Sequence, residues 1–133
     1  MNMKYPGILL LLFALLSCSD LGGNPQPLPF TGSWNWTQSL FDSTRVLTPQ
    51  SEGYSQTVVF LESGVAQFYR NDSLLFTKPV FSQPKNPEFY LGSAGNCLDF
   101  DLACIPEAIV ADKTHLQLID LVGAGVHYYQ RQS

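Results

Sequence analysis

Histidines, cysteines and paired carboxylates are the side chains of this sequence that could carry chemistry, and they are few. His115 and His127 are its two histidines. They fall in separate strand-like runs, without the carboxylate–histidine spacing of a metal-binding element. Each reads as a hydrogen-bonded or exposed histidine, and no metal is expected. Asp99 and Asp101 flank Phe100 and share a face if that segment is extended. Paired carboxylates can move protons or hold calcium. Calcium takes about six to eight oxygens and a glycine turn in such loops, which this stretch does not offer. The run LGSAGN, residues 91–96, has glycines and a serine but not the strand-to-helix context of a phosphate loop or a nucleophile elbow. No catalytic or cofactor-binding motif emerges. The expectation is a protein that is not an enzyme and holds no cofactor.

Cysteine is more informative. The opening stretch MNMKYPGILLLLFALLSCSD places Lys4 before an apolar run from Ile8 to Leu16. A basic start, an apolar run of about 7–15 residues and a small residue at the cut make a secretory signal. The run is too short for a spanning helix, which needs about 20 apolar residues. Leu15-Leu16-Ser17-Cys18 resembles the lipobox of bacterial lipoproteins. That resemblance implies loss of residues 1–17 and acylation of the Cys18 thiol with palmitate-class chains. Two or more acyl chains give stable membrane attachment where one is marginal. Cys97 and Cys104 then remain, in CLDFDLAC. An oxidising compartment allows them to bridge, and closing a loop of about eight residues would add roughly 2–3 kcal/mol. The competing reading, a metal pair, lacks a second ligand pair at zinc spacing.

Charge narrows the partners. All eleven acidic residues follow Cys18, with six of the seven basic ones. Arg45, Arg70, Lys78, Lys85, Lys113 and Arg131 are scattered along the chain. No basic stripe exists to neutralise phosphates, so nucleic acid is not an expected partner. Charged residues make up 14% of the chain, well below the usual share of about a quarter, and aromatics are abundant. Such a composition favours a folded domain over a disordered stalk.

Residues 18–29, ending in SDLGGNPQPLP, read as a flexible tether, and 30–133 as one domain. Short alternating runs bounded by turn residues predict strands at Ser33–Ser39, Tyr54–Leu61, Val65–Arg70 and Leu74–Val80. Four more are predicted at Glu88–Gly92, Cys97–Asp101, His115–Asp120 and Val126–Arg131. Glu62-Ser63-Gly64 and Asn71-Asp72-Ser73 supply hairpin turns. Leu40–Leu47 and Pro106–Lys113 have room for a helical turn, and no longer helix is expected. About eight strands in roughly a hundred residues suggest an all-β antiparallel barrel or sandwich.

Gly32-Ser33-Trp34 is a Gly-x-Trp at the head of the first strand. TPQSEGYSQTVVFLESGVAQFY follows from Thr48 to Tyr69, and HYYQR ends the last strand. With the lipobox, these stretches resemble the lipocalin-like lipoproteins of Bacteroidetes-type bacteria, small relatives of the lipocalin and calycin barrels. The resemblance covers about Phe30 to Arg131. It implies a small up-and-down antiparallel β-barrel of about eight strands, with a calyx open at one end. It also implies that Trp34 plugs the closed end beneath a basic residue of the last strand, for which Arg131 is the candidate. That cation–π contact would be worth about 0.5–2 kcal/mol. The chain departs from lipocalins in its shorter length, in lacking clear second and third motifs, and in the Cys97–Cys104 insertion.

Trp34 and Trp36 are two apart on a strand and face one side. An eight-stranded barrel encloses room for side chains or for one small ligand. Trp36 is therefore either a core residue or the wall of a ligand cavity. Phe60, Phe68, Phe76 and Tyr128 are the other candidate lining residues, with the inward face unfixed until the register is known. The expected function is that of a lipoprotein of the cell envelope, anchored through acylated Cys18 in the outer membrane, binding a small apolar or amphipathic ligand. The alternative is a filled barrel that contacts another envelope protein.

Overall fold

Short strands with apolar residues on alternate positions must bury one face, and curling the sheet onto itself does this while removing its edges. The computed structural model describes residues 28–42, 44–95, 101–123 and 125–132, with the backbone alone at 101. Among the described residues nine strands form one antiparallel sheet: β1 (Gly32–Phe41), β2 (Arg45–Leu47), β3 (Gln56–Phe60), β4 (Val65–Arg70) and β5 (Ser73–Ser82). It continues with β6 (Phe89–Leu91), β7 (Glu107–Ala111), β8 (His115–Asp120) and β9 (Gly125–Arg131). Neighbours follow chain order except that β1 lies between β2 and β3, and β1 also pairs with β9. Eight strands thus close into an up-and-down barrel consistent with a lipocalin-like fold. The extra strand, β2, pairs with the end of β1 beyond the reach of β3.

Local chemistry sets the turns. Asn71 and Asp72 join β4 to β5 with φ of 50° and 69°, the left-handed pair that a two-residue hairpin requires. Helix α1 (Pro49–Glu52) is a single turn started by a reciprocal cap. The Ser51 N–H donates to Thr48 Oγ1 at 3.0 Å, and the Thr48 N–H donates to Ser51 Oγ at 2.9 Å. A 3-10 turn spans Asp101–Cys104. Among the described residues no helix is long and apolar enough to cross a membrane.

Two expectations are corrected here. Leu40–Leu47 holds no helical turn: β1 runs on to Phe41, turns through Asp42 at φ 53° and returns as β2. Pro106–Lys113 is not helical either, because β7 occupies it and pairs with β6 on one side and β8 on the other. Glu107, Ala108 and Ala111 favour helix in isolation by a few tenths of a kcal/mol, which ladder bonds on both edges override. Of the strand expected at Cys97–Asp101, only Asp101 is described, and it begins the 3-10 turn.

The strand registers place the start of β1 and the end of β9 at one mouth of the barrel, which is plugged. Trp34 is fully buried there, and its indole N–H donates to the Phe30 carbonyl at 2.9 Å. Phe30 packs edge-on against Phe60 and Phe89, at 4.9 and 5.1 Å between ring centres. Arg131 lies over the Trp34 ring, its guanidinium carbon 4.2 Å from the centroid. Its Nη1 donates to the Thr31 carbonyl and its Nε to that of Lys113, both at 2.8 Å. Gly32 has φ +114°, and a Cβ there would stand 3.1 Å from Arg131 Nη1. The glycine of Gly-x-Trp thus serves both backbone and arginine.

The β7–β8 turn that receives Arg131 is itself held by Asp112, whose Oδ1 accepts from the N–H groups of Thr114 at 2.8 Å and His115 at 2.7 Å. These two bonds hold the exposed carboxyl below its usual range. A depressed carboxyl stabilises the fold above its unfolded pKa and loses that effect as pH falls through the folded one. Asp112→Ala should therefore lower Tm near neutrality, with the gap to the parent closing as the medium is acidified. A gap that persists undiminished to about pH 2 would place the effect elsewhere.

Candidate functional site

At the other mouth the interior changes character, and a β-bulge in β1 is the cause. Register passes from Trp36 opposite Tyr129 to Gln38 opposite Tyr128, leaving Thr37 as the extra residue. The bulge turns Ser39 inward, opposite His127 on β9. A polar chain follows. The Trp36 indole N–H donates to Ser39 Oγ at 2.8 Å, and Ser39 Oγ lies 2.7 Å from His127 Nδ1. On its far side His127 Nε2 is 3.0 Å from Asp120 Oδ1 and 3.7 Å from Glu107 Oε2.

Lys78 completes the cluster from β5. Its residue exposure is 1%, and Nζ donates at 2.8 Å both to Glu107 Oε1 and to the Ile105 carbonyl. The ammonium also lies 5.4 and 5.7 Å from the ring centres of Phe68 and Phe76, which stack on each other at 4.9 Å. Burial drives the Glu107 carboxyl above its usual range, against the opposing pull of Lys78. Burial, reinforced by Glu107 and Asp120, pushes the Tyr129 phenol far up, so it stays neutral. Gly125 is required beside this cluster: a Cβ there would run into Asp120 Oδ2 and come within 2.8 Å of Phe41. Above, Tyr54 stacks on Trp36 at 5.9 Å and carries the Arg70 guanidinium at 4.0 Å.

Among the described residues, Trp36, Ser39, Lys78, Glu107 and His127 are among those that line an interior cavity of about 60 Å³. At about 30 Å³ per molecule in the liquid, that is space for one or two waters. A larger recess of about 880 Å³ lies on the outer surface, between Leu28, the β3–β4 turn and the segment joining β5 to β6.

The expected lining residues separate. Trp36, Phe68 and Phe76 border the cavity, whereas Phe60 lies deeper, against Phe30. Tyr128 is on the wrong face, because its neighbours His127 and Tyr129 point inward and a strand alternates. Leu74, two residues before Phe76 on β5, does not share its face. A bulge at the Phe68/Tyr69 step sets Phe76 opposite Phe68 and Leu74 opposite Tyr69, so Leu74 is exposed. Trp34 and Arg131 are brought into contact at the closed end, away from the cavity. Cys18, Cys97 and Asp99 lie outside the described residues. Cys104 ends the 3-10 turn, its carbonyl accepting from Ser93 Oγ at 2.9 Å. His115 is exposed beside Asp112, while His127 is buried.

Lys78, Glu107, Asp120, His127 and Ser39 were not foreseen as a group. One signal was present: Lys78 alternates with Phe76 and Val80 in LLFTKPVF, a cation in the middle of an apolar face. Ser39, His127 and Asp120 also have the residue types of an acyl-transfer triad. Such a triad must seat a substrate's acyl group beside the serine within reach of oxyanion donors, and the cavity beside Ser39 is about 60 Å³. Ser39 moreover already accepts the Trp36 N–H. The arrangement is suited to holding charge in a confined space. No family model, no curated protein and no solved structure matches this chain.

The pairing of Lys78 with Glu107 predicts a specific asymmetry. Glu107→Gln leaves a buried ammonium without its counter-ion and should cost about 3–5 kcal/mol in urea unfolding. Lys78→Met combined with Glu107→Leu should recover most of that loss. A double variant as unstable as the single one would mean that the ions are not the source.

Proposed function

We propose that the protein is a lipid-anchored barrel of the cell envelope, held at the outer membrane through Cys18, whose filled interior makes it an interaction module for another envelope protein. The single observation behind this choice is the interior volume. A site for a drug-sized lipophile occupies about 300 Å³ or more, against about 60 Å³ here. Trp34, Trp36, Phe60, Leu116 and Leu118 take the space that a hydrophobic ligand would need. Five exposed apolar side chains, Val46, Leu74, Leu102, Leu121 and Val122, belong to elements at the charged mouth. They supply the apolar contact area that a protein partner uses. The leader, the lipobox-like Leu15–Cys18 and the tether of residues 19–29 support the anchored half of the reading. A Cys97–Cys104 disulfide is part of the same proposal, since it requires export.

Two measurements test it. Cys18→Ala should move the protein from the membrane fraction to the soluble fraction; retention in the membrane would remove the anchor. Tryptophan fluorescence titrated with fatty acids, haem and sterols should show no saturable change. A saturable one-to-one quench would restore the carrier reading in place of the filled barrel.

A further inference from the structure

We propose that Glu107, Asp120 and His127 form a site for one divalent first-row transition ion, represented by Zn²⁺, at the floor of the charged mouth. The site does not depend on the interaction reading, because it uses side chains inside the barrel. One ligand atom from each of the three residues lies within 4.8 Å of the others. His127 Nε2 stands 3.0 Å from Asp120 Oδ1 and 3.7 Å from Glu107 Oε2. Zinc bonds of about 2.0–2.2 Å in tetrahedral array hold ligand atoms roughly 3.3 Å apart, so small side-chain shifts bring these atoms to ligation distance. The three side chains are 10%, 5% and 7% exposed for His127, Asp120 and Glu107.

The surroundings favour an ion. Glu107 and His127 border the cavity, which has room for a metal-bound water in the fourth position. Ser39 Oγ faces Nδ1 at 2.7 Å and fixes the ring, leaving Nε2 for the ion. Metal-bound histidines are commonly oriented through the second nitrogen in this way. Trp36 anchors Ser39 in turn. Lys78 engages Glu107 through Oε1, while Oε2 is the oxygen turned toward His127. Its single charge offsets one of the two carboxylates and leaves the other for a cation. One nitrogen and two carboxylates suit zinc, manganese or iron(II), and are too few donors for calcium, which takes about six to eight oxygens. Gly125 contributes by letting Asp120 lie against β9.

The test is titration of the full chain, purified in detergent and freed of metal by chelator, with ZnCl₂ and CoCl₂. One equivalent should bind, Tm should rise, and Co²⁺ should give visible ligand-field bands without sulfur charge-transfer absorption. The His127 imidazole ¹⁵N signal should shift in the unsubstituted protein, a readout that needs no variant to fold. His127→Gln and Asp120→Asn should each weaken binding by about tenfold or more, and Gly125→Ala, whose methyl would displace the Asp120 carboxylate, should weaken it by about tenfold. His115→Gln should leave it unchanged. The proposal is overturned by absent stoichiometric binding, or by binding that survives His127→Gln with the His127 signal unmoved. Sulfur charge-transfer bands would assign the metal to cysteine instead. Labelling of Ser39 by a fluorophosphonate would give the serine–histidine pair an acyl-transfer role in its place.

Discussion

The pairing of β1 with β9 is the constraint from which the rest of the molecule follows. It turns an open antiparallel sheet, with two exposed edges, into a closed barrel. Trp34 opposite Arg131 is its first rung, and the guanidinium on the indole ties the rung's side chains as well as its backbones. Arg131 also bonds carbonyls from the segment before β1 and from the β7–β8 turn. One side chain thus joins three parts of the chain at the plugged end. Gly32 accommodates that arginine in a backbone conformation that a side chain would resist.

Closure also creates the inside, and the inside is not uniform. The plugged end is aromatic rings in edge-on contact around Phe30. The other end holds two carboxylates, an ammonium and an imidazole, each contributed by a different strand. Burying such groups gains little stability over well-packed apolar residues of similar volume. The cavity beside this charged cluster, about 60 Å³, matches in size the water that the proposed ion would carry.

Much of the fold was legible along the chain because strand periodicity is local. Val58 and Phe60, Ala66 and Phe68, and Leu116 and Leu118 each share a buried face, as two-residue spacing requires. Periodicity breaks where bulges do. The bulge at Thr37 turns Ser39 inward, and the one beside Leu75 separates Leu74 from Phe76. Neither leaves a mark in composition. Tyr128 shows a related gap: HYYQR holds two adjacent tyrosines, and nothing within those five residues says which one faces in. Glu107 and its alanine neighbours leave room for a helical turn until strands on both sides claim them.

The sequence by itself determined the all-β class, most strand positions and the Gly-x-Trp that heads the barrel. Each of these depends on neighbours within about ten residues, where propensity, pleat and turn chemistry act. Tertiary structure alone decided which alternate residues face inward at the bulges, and that Lys78, Glu107, Asp120 and His127 meet. Those four sit on β5, β7, β8 and β9, and their meeting depends on register across several ladders and on closure of the barrel. Each is an ordinary charged residue in its own strand, and burial together in a common, low-dielectric interior makes them a site.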